Sequence, residues 1–263
     1  MTPSPPTDPP VRTSRVDDVV VVAIDRPHRA NSLDRTTFEE LRSAIDAAGA
    51  DGDSRALLLC SEGSHFCGGG DLRAGAFDEP DAGARRAEIE LAYAVTTALL
   101  ECPKPTVCAV QGRSAGAGMA LILACDLRLA ATTASIGVEF VRFGLVPDLG
   151  LTWLMPTMLG VGRALDLAIG TDTIDAHDAL HWGVLTEVVE ENDLRQRALV
   201  RARRAGSMPV DAVLEARRLI RAAPGKPRDV ALRDELEALD RRLHDAETLA
   251  ARESFFADRR LRG

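Results

Sequence analysis

The spacing of apolar positions changes character along the chain. Val19-Val20-Val21-Val22-Ala23-Ile24 is an unbroken, mostly β-branched run. It predicts a strand buried on both faces, ended by Asp25-Arg26-Pro27. Ala56-Leu57-Leu58-Leu59-Cys60 and the stretch from Thr106 to Val110 read the same way. Residues 126–130 and 135–137 read as shorter strands. Between these runs the period becomes helical. Asp34 stands where it can cap a helix that carries Phe38, Leu41 and Ile45 on one face. Residues 85–101 place Ile89, Tyr93, Thr96 and Leu100 at helical spacing, and Met119 to Ala124 suits a short buried helix. From Leu151 onward only helical spacing is left: short segments at 161–169 and 175–181, then longer amphipathic ones at 191–205, 208–222 and 228–257. Strand and helix alternate to about residue 145, which predicts an α/β fold with an all-helical last third. Leu232, Leu236, Leu239 and Leu243 form a stripe in that last third, suited to packing on the parent domain or to a subunit interface.

Composition narrows the class. With 263 residues, the chain suffices for one large domain or a domain with a small appendage. Only 4% of residues are aromatic, so aliphatic and alanine side chains must fill the core. A net charge of −8 argues against broad nucleic-acid binding, because phosphate contacts need a basic surface. The proline-rich start, MTPSPPTDPPVR, has no apolar run; it predicts a disordered tail over residues 1–12 rather than a targeting peptide. The longest apolar run, near Met119 to Ala124, is too short to span a bilayer. Five cysteines without C-x-x-C spacing suit free thiols and a cytoplasmic protein. His177 and His181 stand at i, i+4 but lack the glutamate of H-E-x-x-H and a third ligand, so no metal site is expected.

Two readings compete for the stretch Gln111 to Gly118. Gly112-Arg113-Ser114-Ala115-Gly116 fits G-x-S-x-G, the elbow of a serine hydrolase. His65 to Gly70 is then an oxyanion loop, and Asp148 with His177 or His181 completes a triad in the order Ser, Asp, His. Against this, regular α/β alternation fades soon after Ser114, and both histidines fall in one helix. In the second reading the backbone does the chemistry. Gly68-Gly69-Gly70-Asp71 and Gly116-Ala117-Gly118 each follow a buried strand and allow close approach of the main chain. Two backbone N–H groups aimed at one point form an oxyanion hole without any serine.

Ordered motifs then bring a family into view. They are Arg26-Pro27 with Asn31-Ser32-Leu33; Phe66-Cys67-Gly68-Gly69-Gly70-Asp71-Leu72-Arg73; Lys104-Pro105-Thr106 leading to Val110-Gln111-Gly112 and Gly116-Ala117-Gly118; Cys125-Asp126; and Phe143 to Asp148. In this order they resemble the crotonase superfamily, the enoyl-CoA hydratase/isomerase family, from Val19 to about Phe256. The resemblance implies an α/β crotonase-type spiral of ββα turns over residues 13–200 and a helical C-terminal trimerisation region over 201–263. It implies a homotrimer or a dimer of trimers and an acyl-CoA thioester substrate, with no separate cofactor.

It also implies roles for single residues. The N–H groups of Gly70 and Ala117 clasp the thioester oxygen, and Ser114 is a bystander. Gly68, Asp71, Leu72, Gly116 and Phe140 line the substrate site. Arg73 faces the CoA phosphates, and Arg26 meets the nucleotide end. The two positions that carry glutamates in hydratases are Ala120 and Phe140 here, neither able to transfer a proton. If the segment is extended, Glu139 points away from the site. Asp148 stands where several isomerases of the superfamily carry an acid/base aspartate that moves a 3-enoyl double bond to the 2-position. Alternatives for Asp148 are a helix cap and, as in a dehalogenase, a nucleophile. The competing functions are a hydratase using Glu139 and a catalytically reduced CoA-thioester binder. Residues 74–84, AGAFDEPDAGA, are acidic and expected to be mobile.

Overall fold

Alternate residues of the β-branched runs serve two different layers, which is why those runs show no polar positions. A computed structural model describes residues 9–73, 79–170 and 173–260. In it β2 (Val19–Ile24) sends Val20, Val22 and Ile24 to one core and Val19, Val21 and Ala23 to another. β3 (Ala56–Ser61) and β4 (Thr106–Val110) divide in the same way. These strands pair in parallel, β2 with β3, β3 with β4, β4 with β6 (Leu127–Ala131), and β6 with β9 (Glu187–Val189). Burial on both faces is the expected setting for parallel strands.

The edge of this sheet was not visible in the sequence pattern. β1 (Val11–Val16) runs antiparallel to β2 through a two-residue turn at Asp17-Asp18, with Asp17 in the left-handed region at φ 56°. Val11 and Arg12, expected within a tail over 1–12, are instead paired in β1, while residues 1–8 lie outside the described residues. A smaller sheet holds β5 (Arg113–Ala115), β7 (Ser135–Gly137) and β8 (Ile174–Asp175), in the order β5-β7-β8. Residue 67 bridges to Ser114, so the first glycine loop lies along β5.

The helices follow local signals. Asp34 caps α1 (Arg35–Ala50), its Oδ1 accepting from the Thr37 amide at 2.9 Å. α2 (Ala82–Glu101) starts slightly before the expected 85, capped by Asp81. α3 (Ala117–Ala124) is buried at all eight positions, which explains its purely apolar sequence. α4 (Leu151–Leu159), α5 (Val161–Gly170), α6 (Ala176–Trp182) and α7 (Leu194–Gly206) follow.

The chain divides into two compact units at Arg203–Arg204. The second holds α8 (Val210–Ala222), α9 (Arg228–Leu243) and α10 (Ala246–Arg260). The expected helix over 228–257 is thus two helices, broken at His244-Asp245. Leu232, Leu236, Leu239 and Leu243 are all exposed within this unit. No helix among the described residues is long and apolar enough to cross a membrane.

Candidate active site

The first glycine loop is held so that one amide is left over. The Leu33 amide donates to Gly69 O at 2.8 Å, and the Asp71 amide donates to Leu33 O at 2.9 Å. This is a parallel bridge between Leu33 and Gly70. Successive amides of an extended segment point to opposite edges, so the Gly70 N–H faces away from Leu33. Among the described residues it has no acceptor.

The second loop lies against the first. The Ala115 amide donates to Cys67 O at 2.9 Å, and Gly116 donates to Gly137 O at 3.1 Å. Gly116 has φ 52° and ψ −112°, a conformation that requires glycine, and it turns the chain directly into α3. Ala117 is the first residue of that helix, so its N–H finds no carbonyl within the helix. A Cβ on Gly69 would lie 3.9 Å from the Ala117 nitrogen, which shows how closely the loops approach.

Both loops open on one cavity of about 170 Å³. Its wall includes Gly68, Gly70, Asp71, Leu72, Gly116 and Ala117 from the loops. Phe38, Leu91 and Ala92 from α1 and α2 supply apolar surface, as do Phe140, Phe143 and Leu145 from the segment before α4. Ile89 and Phe143 are 40% and 53% exposed and line the cavity.

Asp148 lies in the same wall. It does not cap α4: the cap residue is Gly150, with no side-chain hydrogen bond. Leu149 at φ 52° and Gly150 at φ 86° carry the chain through two left-handed residues between Asp148 and the helix. For Leu149 that conformation costs roughly 1–2 kcal/mol, the kind of strain that collects at working sites. The Asp148 Oδ1 is buried and has no hydrogen-bond partner. Burial, partly offset by its own backbone N–H, pushes its pKa up to about 6.

Several expectations are corrected. The segment around Glu139 is not extended: Glu139 has φ 51° and opens a 3-10 turn over Phe140–Phe143. Glu139 therefore lines the cavity together with Phe140 instead of pointing to the opposite face. Its carboxylate is occupied, taking two hydrogen bonds of 2.7 Å from Arg113 Nη2, with Arg142 Nη1 at 3.9 Å. Ala120 is fully buried in α3 and outside the cavity wall.

Ser114 is fully buried and its hydroxyl has no partner. It sits beneath α3, where a Cβ on Gly118 would come within 2.5 Å of its Oγ. No substrate can reach it, so the hydrolase reading fails on geometry. His177 and His181 are exposed on α6, and no metal-ligand cluster occurs among the described residues.

Arg26 and Arg73 differ in placement. Arg73 is exposed at the end of the first loop, its amide donating to Asp71 Oδ1 at 3.1 Å. Arg26 is not in the cavity wall. Its guanidinium is nearly buried and spent on the protein, with Nη1 on Ser32 O at 2.5 Å and Nη2 on Asp34 at 2.8 Å. The expectation of mobility over 74–84 concerns residues 74–78, outside the described residues, while Ala82 onward is helical.

The enoyl-CoA hydratase/isomerase family profile matches residues 15–257. The chain belongs to the enoyl-CoA hydratase/isomerase family. It is 35% identical over 196 residues to the 1,2-epoxyphenylacetyl-CoA isomerase of Escherichia coli, covering 73% of this chain and 74% of that protein. It is 33% identical over 218 residues to a "Probable enoyl-CoA hydratase" of Rhodobacter capsulatus, covering 82% and 83%. The crystal structure of an enoyl-CoA hydratase from Bacillus anthracis superposes with a TM-score of 0.88 at 27% identity, covering 95% of this chain and 96% of that one. Relatives named as an isomerase and as a hydratase thus both match this chain, and the solved hydratase shares its fold.

Proposed function

We propose that the protein is an enoyl-CoA isomerase that moves a double bond from the 3-position to the 2-position of an acyl-CoA thioester. Gly70 and Ala117 donate their N–H groups to the thioester oxygen, and Asp148 is the acid/base. The observation that carries this reading is the state of Asp148: a cavity-lining carboxylate with an unpartnered oxygen and a pKa near 6, beside two free backbone donors.

The chemistry needs no second carboxylate. Asp148 takes a proton from C2, and the electron pair moves onto the thioester oxygen to give a dienolate. The two N–H donors bind that negative charge as it develops, each worth roughly 3 kcal/mol in such holes. Collapse of the dienolate with protonation at C4 by Asp148 gives the conjugated 2-enoyl thioester. A base with pKa near 6 is ionised at neutral pH yet still able to return its proton. In this reading Arg73, which is exposed, meets the CoA phosphates. The leucine stripe of α9 supports a homotrimer or a dimer of trimers.

Glu139 gives a hydratase reading some support, because it too lines the cavity. Its carboxylate is engaged by two hydrogen bonds from Arg113, which suits a structural role better than proton transfer. The test is incubation with a trans-3-enoyl-CoA. Appearance of the conjugated 2-enoyl thioester without 3-hydroxyacyl-CoA supports the isomerase. Hydration of a 2-enoyl-CoA would favour Glu139, and tight binding without turnover would favour a thioester-binding protein.

A further inference from the structure

Arg26 is a largely buried cation beside the first glycine loop, paired with groups of the same chain. Its Nη1 donates to Ser32 O at 2.5 Å, and its Nη2 lies 2.8 Å from Asp34 and 3.6 Å from Asp71. The side chain is only 13% exposed, and Asp71 only 11%. Asp71 directly follows Gly70, and both Asp34 and Asp71 line the cavity. The backbone of the same segment is tied down at both ends. The Arg26 amide donates to Asn31 Oδ1 at 2.7 Å, and Asn31 Nδ2 donates to Glu62 O at 2.8 Å and His65 O at 2.6 Å. The Gly68 amide donates to Ala30 O at 2.9 Å. The turn from Arg26 to Asp34 is therefore the bed on which the first glycine loop rests.

We infer that Arg26 is a positioning residue that sets the Gly70 N–H for the thioester oxygen and partly offsets the charge of the two carboxylates beside it. It acts in two ways. By pairing with Asp71 and holding Ser32 O, it fixes the Leu33–Gly70 bridge, and with it the direction of the leftover amide. By pairing with Asp34 and Asp71, it keeps two negative charges in the cavity wall from opposing the negative charge that forms on the oxygen. A residue that gripped the CoA nucleotide would instead present its guanidinium to solvent, and this one does not.

The inference rests on the oxyanion-hole reading of Gly70 but not on isomerase turnover, so the test reads the carbonyl directly. A saturated acyl-CoA labelled with ¹³C at the thioester carbon is bound to wild type, Arg26→Met and Arg26→Lys. Calorimetry gives Kd, and NMR gives the carbonyl shift on binding. In wild type the bound carbonyl moves downfield, as a polarised thioester should. In Arg26→Met that shift falls by half or more while Kd stays within about two-fold, and Arg26→Lys restores part of it. Turnover, where present, loses kcat by about ten-fold or more with little change in KM. Arg26→Gln, which keeps a donor for Ser32 O but carries no charge, serves as the milder variant if Arg26→Met fails to fold, and it too must reduce the shift. A ten-fold weaker Kd with the shift intact would overturn the inference and return Arg26 to CoA binding. An unchanged shift and Kd in every variant would also overturn it. A wild-type complex without any shift would remove the oxyanion hole and this inference together; a shift without isomerisation would fault only the isomerase reading.

Discussion

Replacing Asp148 with Asn should stabilise the protein while slowing the proposed chemistry by about 10² to 10⁴-fold. Burial raises the carboxyl pKa from 3.8 to about 6 in the folded chain. Between these values the native state holds a proton that the unfolded state has released, so stability falls as pH rises. The stabilisation is complete below pH 3.8 and lost above about 6. Two units correspond to almost 3 kcal/mol at 1.36 kcal/mol per unit. The side chain is partly open to solvent, so a discounted value of about 1–2 kcal/mol is the better expectation. Asparagine has nearly the same shape and no charge. At pH 8 Asp148→Asn should melt higher than wild type by roughly 2–8 °C, using about 2–4 °C per kcal/mol for a domain of this size. Near pH 4 the two proteins should melt together. Melting curves of both from pH 4 to 8 are the assay. A variant less stable than wild type at pH 8, or a difference independent of pH, would refute the claim that the carboxylate is held at a cost.

Other predictions follow from the same geometry. kcat/KM should rise with unit slope through about pH 6 and level off above, because only the ionised Asp148 can take the C2 proton; a flat profile would exclude it as the base. Ser114→Ala should keep activity within about two-fold and leave stability unchanged or raised by up to about 1 kcal/mol, since it removes a buried hydroxyl without a partner. Labelling of Ser114 by a fluorophosphonate would contradict its entombment. Leu236→Glu, in the exposed stripe of α9, should shift the mass seen by light scattering from that of the proposed trimer or hexamer toward monomer; an unchanged mass would remove the stripe from the proposed interface.

What the sequence shows of this fold follows from how strongly each element is fixed locally. β2, β3 and β4 are unmistakable because both faces are buried. β1 escapes notice because four of its six residues are exposed and polar or charged, and β8 because two residues carry no period. The break between α9 and α10 has neither glycine nor proline at His244-Asp245, so one continuous helix was the natural reading. At the site, the two glycine loops are legible because Gly69 and Gly116 take positive φ and a Cβ on Gly118 would strike Ser114 and Cys67. Glu139 is not, since a glutamate at φ 51° gives no local sign of its turn. The seat of Arg26 is equally hidden, because its partner Asp71 comes close only after β2 and β3 have paired. The raised pKa of Asp148 is a property of burial, which no spacing rule supplies.

The central claim is that Asp148 carries a proton between C2 and C4 beside the Gly70–Ala117 oxyanion hole. It is tested most directly with a trans-3-enoyl-CoA deuterated at C2, converted by wild type and by Asp148→Asn and followed by NMR. Wild type should give the conjugated 2-enoyl thioester with part of the C2 deuterium found at C4, and the variant should be slower by about 10² to 10⁴-fold. Conversion by Asp148→Asn at the wild-type rate would contradict the account.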